Sequence, residues 1–299
     1  MVFLLALPVV ARPPKGDYTA PSVAIIDNET FISANRILMF VTNHGNFGRD
    51  LAGIFGHDYG TWYPYPVGQD TSLINAGVLQ NYTPNYASGL WVGATDSATG
   101  ETRIIISEYS SEYVPGPMSG GTFMADAPEF RVYKLFADSL ADNPNQDYTD
   151  YMTYGPALGA PFWEEDTYRV DTTVDPPDSV LIGEEGEPRI IGDQFLWTVY
   201  NDADPDGHTN DAGETNPCYL EVKQSIFGFN RDDPLGDIVF MRYRIYNKGD
   251  RVLENCYFSL WCDPDIGGSG DDLVGCDTLL GLGYAYNGDN DDVQYDIPP

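Results

Sequence analysis

From Phe195 onward, apolar side chains recur at every second residue, and this period constrains the fold more than any other feature of the chain. Phe195, Trp197 and Val199 alternate along one run, and Leu220, Val222 and Ile226 oppose Glu221, Lys223 and Ser225 on the next. Val239, Met241, Tyr243 and Ile245 fall on one side of a third run, with Arg242 and Arg244 on the other. Past the turn Asn247-Lys248-Gly249-Asp250, the set Cys256, Phe258, Leu260 and Cys262 repeats the pattern. A period of two separates the faces of a pleated strand. Such runs joined by turn residues are what a half-buried antiparallel sandwich requires.

The N-terminal half reads the same way. Ile37–Val41 is a buried strand ahead of the turn Asn43-His44-Gly45-Asn46. Gly89–Ala94 and Thr102–Ser107 flank Asp96–Gly100 as a hairpin. The acids point in the same direction, because 33 are Asp and 13 are Glu. Asp bonds locally to backbone and favours turns, whereas Glu is a good helix former. No run sustains a helical period; Phe130–Asp142 has room for one short helix. The expectation is therefore all-β. Two antiparallel, immunoglobulin-like sandwich domains would cover 20–140 and 191–299, the second incomplete, with a loop-rich connector over 141–190.

The formal net charge is −31, from 15 Lys+Arg against 46 Asp+Glu. Nucleic-acid grooves and anionic membrane surfaces call for clustered cations, so neither is an expected partner. The apolar run Val2–Ala11 is too short to span a bilayer, which takes about 20 residues. It matches the apolar region of a secretory signal, with Val9 and Ala11 as the small residues before cleavage. Residues 1–11 are thus read as a signal-peptide remnant, and the protein as extracellular or on the cell surface.

The cysteines fit an oxidising exterior. Cys218, Cys256, Cys262 and Cys276 form no C-x-x-C pair. Cys256 and Cys262 share a strand, which at ~3.3 Å per residue puts them about 20 Å apart. A disulfide requires Cα atoms within about 7 Å. The favoured connectivity is Cys262–Cys276 with Cys218–Cys256. Four buried thiols are the alternative.

The sharpest local signal is Asp202-Ala203-Asp204-Pro205-Asp206-Gly207-His208-Thr209-Asn210. Carboxylates at positions 1, 3 and 5 with Gly at 6 are how a calcium loop curls oxygens round a hard cation. Asp202, Asp204 and Asp206 would ligate by side chain, His208 by its carbonyl and Asn210 directly or through water. The register then departs from the EF-hand, with Gly213 at position 12 and the acid at Glu214. Two carboxylates about 4 Å apart repel by about 4 kcal/mol at an effective dielectric near 20, so a curled triplet calls for a cation. A second cluster joins Asp263 and Asp265 to Asp271, Asp272 and Asp277 without that register. A third, Asn287–Asp292, is weaker still. Hard oxygen donors of this kind suit Ca2+ better than zinc or iron.

Catalytic signatures are missing: there is no H-E-x-x-H, G-x-S-x-G or phosphate-cradling loop. His44, His57 and His208 are scattered through loops. Glu164, Glu165 and Asp166 are sequence neighbours that rarely hold the separation a glycosidase pair needs across a sugar. Trp62, Tyr63 and Tyr65, in Thr61-Trp62-Tyr63-Pro64-Tyr65-Pro66, are the candidate aromatic platform for a sugar or peptide.

Five phrases carry a resemblance. NRILMFVTNHGNFG, YASGLWVGATDSATGE, GDQFLWTVYNDADPDGH, GFNRDDPLGDIVFMRYRIYNKGD and SLWCDPDIGGSGDDLVGCDTLLGLGYAYN resemble the amino-terminal region of large exported bacterial proteins that often end in a type IX secretion sorting domain. The resemblance implies surface location and a multi-module parent, and no activity. Two functional readings follow. The first is a non-catalytic, calcium-stabilised module of a surface, adhesive or matrix protein, with a surface glycan or protein as partner. The second is a carbohydrate-binding region of a polysaccharide-degrading enzyme.

Overall fold

A computed structural model describes residues 27–54, 60–63, 83–137, 145–174, 176–209, 214–266 and 270–288. The run read as a signal remnant lies outside them. In chain order the first strands are β1 (Glu29–Ile32), β2 (Met39–Thr42), β3 (Phe47–Gly48), β4 (Ala87–Asp96) and β5 (Thr102–Ile105). Next come β6 (Val114–Pro115), β7 (Met118–Ser119), β8 (Thr122–Phe123), β9 (Tyr133–Phe136) and the helix α1 (Gln146–Leu158). The hairpin of β10 (Thr167–Asp171) and β11 (Asp178–Gly183) follows. The chain then forms β12 (Gln194–Asn201), β13 (Leu220–Gly228), β14 (Val239–Asn247), β15 (Leu253–Asp263), β16 (Asp272–Asp277) and β17 (Leu282–Asn287).

The described residues are nearly all β, and every strand pairing is antiparallel, as the alternation predicts. Sheet one runs β1-β2-β3-β4-β15, with β5 also on β4. Sheet two runs β14-β13-β12, and β12 takes β6 and β9 along its other edge. Apolar side chains of the two sheets meet between them. Leu90, Val92 and Ile105 pack with Tyr200, Leu220 and Val222, while Ile32, Val41 and Phe47 pack with Leu196 and Ile226.

This layering corrects the expected division into two sandwiches. β4 pairs along its length with β15, from Asp96↔Leu253 to Ala87↔Asp263. β12 likewise pairs with β9, as in Trp197↔Tyr133. Segments 20–140 and 191–299 therefore contribute strands to both sheets. Alternation fixes which face a residue takes, and leaves open which strand lies beside it.

The stretch 141–190 is also more ordered than a connector. Asn145 caps α1 by accepting from the Tyr148 amide, and Gly159 closes it in the left-handed conformation. Tyr148, Tyr151, Gly155 and Leu158 form its buried stripe. That stripe covers the outer face of sheet two, against Tyr133, Leu135, Phe195, Trp197 and Val199. Hence every residue of β12 is buried: Leu196 and Tyr200 face sheet one, while Phe195, Trp197 and Val199 face the helix. The short helix allowed over Phe130–Asp142 is instead strand β9, and residues 138–142 lie outside the described residues.

The edge strand β15 departs from the half-buried pattern. Its register slips between Glu254 and Tyr257, with Asn255 at φ 49°. Phe258 and Leu260 lie on the core side, opposite Val92 and Leu90, yet remain 53% and 55% exposed.

Gly45 shows how tightly the sandwich closes. Its φ is +84°, and a Cβ there would sit 2.6 Å from the ring of the fully buried Tyr200. Adding left-handed strain to a clash with a core ring, Gly45→Ala is expected to cost about 3 kcal/mol. Urea unfolding should report this as a lower midpoint with an unchanged slope.

Candidate functional site

β12 ends at Asn201, and the chain turns back on itself through the acidic loop. Asp202 points inward. One carboxylate oxygen accepts the Cys218 amide at 2.6 Å, and the other accepts the Leu220 amide at 2.5 Å. The side chain is wholly buried and ties the end of β12 to the start of β13. Asp204 does something separate: its Oδ1 accepts the Asp206 amide at 2.9 Å, an Asx turn that Gly207 closes onto the Asp204 carbonyl. Asp202 is therefore not gathered with Asp204 and Asp206. Asn210 lies outside the described residues, and Glu214 is exposed. Among the described residues, no three His, Cys, Asp or Glu side chains converge as a metal-holding group.

His208 ends this turn in the interior. Its Nε2–H donates to the Asp202 carbonyl at 2.9 Å, and the same nitrogen stands 3.6 Å from the Asp202 carboxylate. Nδ1 faces Glu112 at 3.5 Å. Glu112 also accepts the Ile106 amide at 2.8 Å, from the segment that follows β5. Burial alone would lower the imidazole pKa, but the two carboxylates outweigh burial and hold it above its ordinary value of 6.5. Burial raises the Asp202 carboxyl, opposed by His208 and the two amides. The loop read as a calcium cradle thus supplies an acid–imidazole–acid clamp. Glu112 has no sequence signature; only the fold brings it to His208.

The second cluster is arranged differently. Asp263 ends β15 and accepts the Tyr109 hydroxyl at 2.6 Å, while Asp272 opens β16 and accepts the Ile266 amide at 2.8 Å. The other Asp272 oxygen is buried without a hydrogen-bond partner. Asp265 lies among them, its carboxyl raised by burial and then by the charges of Asp263 and Asp272. Asp271 sits beside Asp272 at the start of the β16–β17 hairpin, whose last ladder pair is Asp272↔Asn287. Of the third cluster, Asn287 and Gly288 are described and 289–292 are not.

Of the candidate aromatic platform, Trp62 is packed into the core. Trp62 is 3% exposed, and its backbone pairs with Leu38 in both directions, at 2.8 and 3.1 Å. That pairing turns its ring into the core. Tyr63 is exposed beside Asp237, and Tyr65 lies outside the described residues. Glu164, Glu165 and Asp166 form an exposed turn after α1, in which Asp166 accepts the Glu185 amide.

All four cysteines are thiols in the structure. Cys256 and Cys262 share β15 as expected, Cys276 lies on β16, and all three are exposed. Cys218 is buried, which pushes its thiol pKa up, and the nearby charges of Asp202 and Cys256 push it the same way.

His44 is held between the Tyr113 carbonyl (3.0 Å) and Asp27 (2.7 Å) on the wall of a cleft of about 420 Å³. Glu29, in the same cleft, accepts the Leu51 and Ala52 amides, yet its carboxyl is raised to about 7, chiefly by burial and also by Asp50. His57 lies outside the described residues. A larger cleft of about 1030 Å³ is lined by Glu101, Arg103, Lys248, Asp250 and Arg251, with Arg103 paired to Glu101 at 3.4 Å and Arg251 to Asp250 at 3.7 Å. Behind it, Arg103 and Arg251 both bind Asp96, at 2.7 and 3.2 Å.

Comparison with known proteins finds no matching family model, no matching curated protein and no matching solved structure. Among the described residues, no helix is long and apolar enough to cross a membrane.

Two predictions follow from this geometry. Asp202→Ala strands two buried amides and one flank of His208, and is expected to cost about 3–5 kcal/mol in urea unfolding. Glu29 binds its proton more tightly folded than unfolded, so its contribution is complete below about pH 4.5 and is lost as pH rises through about 7. The melting temperature of Glu29→Gln relative to the parent should therefore rise between pH 5.5 and 8.5.

Proposed function

We propose that the chain is a non-catalytic, immunoglobulin-like sandwich module of an exported surface, adhesive or matrix protein. Support for the non-catalytic role comes from how its buried carboxylates are used. Asp202 is committed to Cys218 and Leu220, Glu112 to Ile106, Glu221 to the Met118 amide at 3.0 Å, and Asp96 to the Ala98 amide at 2.9 Å. Each of these four joins or closes backbone segments, and Glu29, on the wall of the 420 Å³ cleft, likewise accepts the Leu51 and Ala52 amides. Export, through a type IX route, rests on the apolar N-terminal run and on the resemblance of the five phrases. In that milieu the nearby thiols Cys218 and Cys256 would pair.

Calcium belongs to this reading at the β15–β16 turn, and not at the Asp202 loop. The reading rests on Asp265, whose carboxyl is raised first by burial and then by the charges of Asp263 and Asp272, though among the described residues the three side chains do not converge on one point. A divalent cation would relieve that repulsion, with Asp271 in reach along the chain. Binding to the folded form alone would add about 2.7 kcal/mol at a free level 100-fold above the dissociation constant.

Calorimetric titration of chelator-treated protein with CaCl2 tests the assignment. A weak site that disappears in Asp265→Asn/Asp272→Asn and persists in Asp204→Ala/Asp206→Ala is the expected result. A flat isotherm for the parent, or loss only in the second variant, would remove calcium from this turn.

A further inference from the structure

Leu90 and Val92 face the core, so Trp91 between them stands on the outer face of sheet one. Across the ladder, Tyr257, Ser259 and Trp261 share that face, opposite Gly93, Trp91 and Gly89. The rings of Trp91 and Trp261 are parallel within 2°, with centroids 6.3 Å apart. Tyr109 meets Trp261 edge-on at 5.1 Å, and Tyr86 lies 6.2 Å beyond Tyr109. Four rings thus follow one another across β4 and β15, and the 74% exposed Tyr257 extends the band along β15. At Gly93 the surface is open, with no atom within 4 Å of where a Cβ would stand.

The rings are held before any ligand arrives. Trp91 Nε1–H donates to the Ser107 carbonyl at 2.9 Å, and the Tyr109 hydroxyl donates to Asp263 at 2.6 Å. Side chains already fixed lose little rotamer freedom on binding. On the same face, Asp263 offers acceptor oxygens and Ser259 a hydroxyl.

We propose that this outer face is a binding platform for a neutral polysaccharide, whose C–H groups would pack against the rings of Trp91, Trp261, Tyr109 and Tyr257 while its hydroxyls bond to Asp263 and Ser259. Charge selects against polyanionic glycans, since the chain carries −31 and the rim is acidic. Shape selects against a point cation, which is best held by rings closing round it as a cage. Here the ring-bearing residues are spread along a sheet face. The site names the ligand class of the proposed surface module and rests on that role, but uses none of the residues Trp62, Tyr63 and Tyr65.

Affinity electrophoresis through hydroxyethyl cellulose, xyloglucan, galactomannan and laminarin, run in EDTA, separates this claim from the calcium claim. At least one gel should retard the parent, and polygalacturonate should not. Trp261→Ala and Tyr109→Ala should each weaken retardation at least tenfold, while Tyr63→Ala leaves it unchanged. Because Trp261 lies in a strand, the exposed Tyr109→Ala and Tyr257→Ala, checked for an unchanged melting temperature, carry the result if Trp261→Ala misfolds. No retardation of the parent in any neutral gel, or retardation untouched by these variants, would overturn the platform. Quenching of tryptophan fluorescence by tetramethylammonium without any polysaccharide binding would overturn the sugar assignment. Release of reducing ends during the assay would instead overturn the non-catalytic role while supporting the platform.

Discussion

Buried carboxylates that accept backbone amides hold this molecule together. A carboxylate taken from water loses strong hydration, and it is tolerable inside only where charge-assisted hydrogen bonds or an opposite charge replace that shell. Asp202 meets the condition with two amides and His208, Glu112 with an amide and the same imidazole, and Asp96 with an amide and two guanidinium groups. Each sits where a strand ends and the backbone would otherwise leave donors unmet. A chain so rich in Asp therefore uses part of its negative charge as internal bracing. That offers a metal-free account of one acidic loop, and sets it apart from the β15–β16 turn, where burial and then the charges of Asp263 and Asp272 raise the Asp265 carboxyl.

The layering depends on β12. Buried along its whole length on both faces, it receives sheet one on one side and α1 on the other. Its neighbours differ in origin: the remote strands β9 and β6 lie on one edge, and the next strand in the chain, β13, lies on the opposite edge. Sheet one shows the same long-range closure through β4 and β15. That pairing also sets the outer aromatic band, because it brings Trp91 beside Trp261.

Faces were legible from the sequence, and neighbours were not. The alternation at Phe195–Val199, Leu220–Ile226 and Val239–Ile245 corresponds to real strands, and Asp96–Gly100 does turn a hairpin, with Thr95↔Thr102 closing it. The helix escaped because its buried stripe is Tyr, Tyr, Gly and Leu, with Pro156 inside, a weak apolar signal beside loop-forming residues. Its capping residues, Asn145 and Gly159, were the readable trace. The aspartate triplet misled for a physical reason: spacing specifies where carboxylates fall along the chain, whereas the direction of Asp202 is set by amides 16 and 18 residues away. Trp62 was misplaced similarly, since its bridge to Leu38 decides the ring's side.

The β4–β15 ladder has a consequence for how the protein is made. Ala87 must wait for Asp263 before its strand is flanked on both edges. Pairings so remote in sequence close slowly, because the intervening chain loses its freedom before the contact gives anything back. Synthesis adds residues vectorially, so β4 emerges long before its partner and stays unsatisfied in the meantime. A nascent chain of this topology therefore reaches its final form only once β15 has emerged.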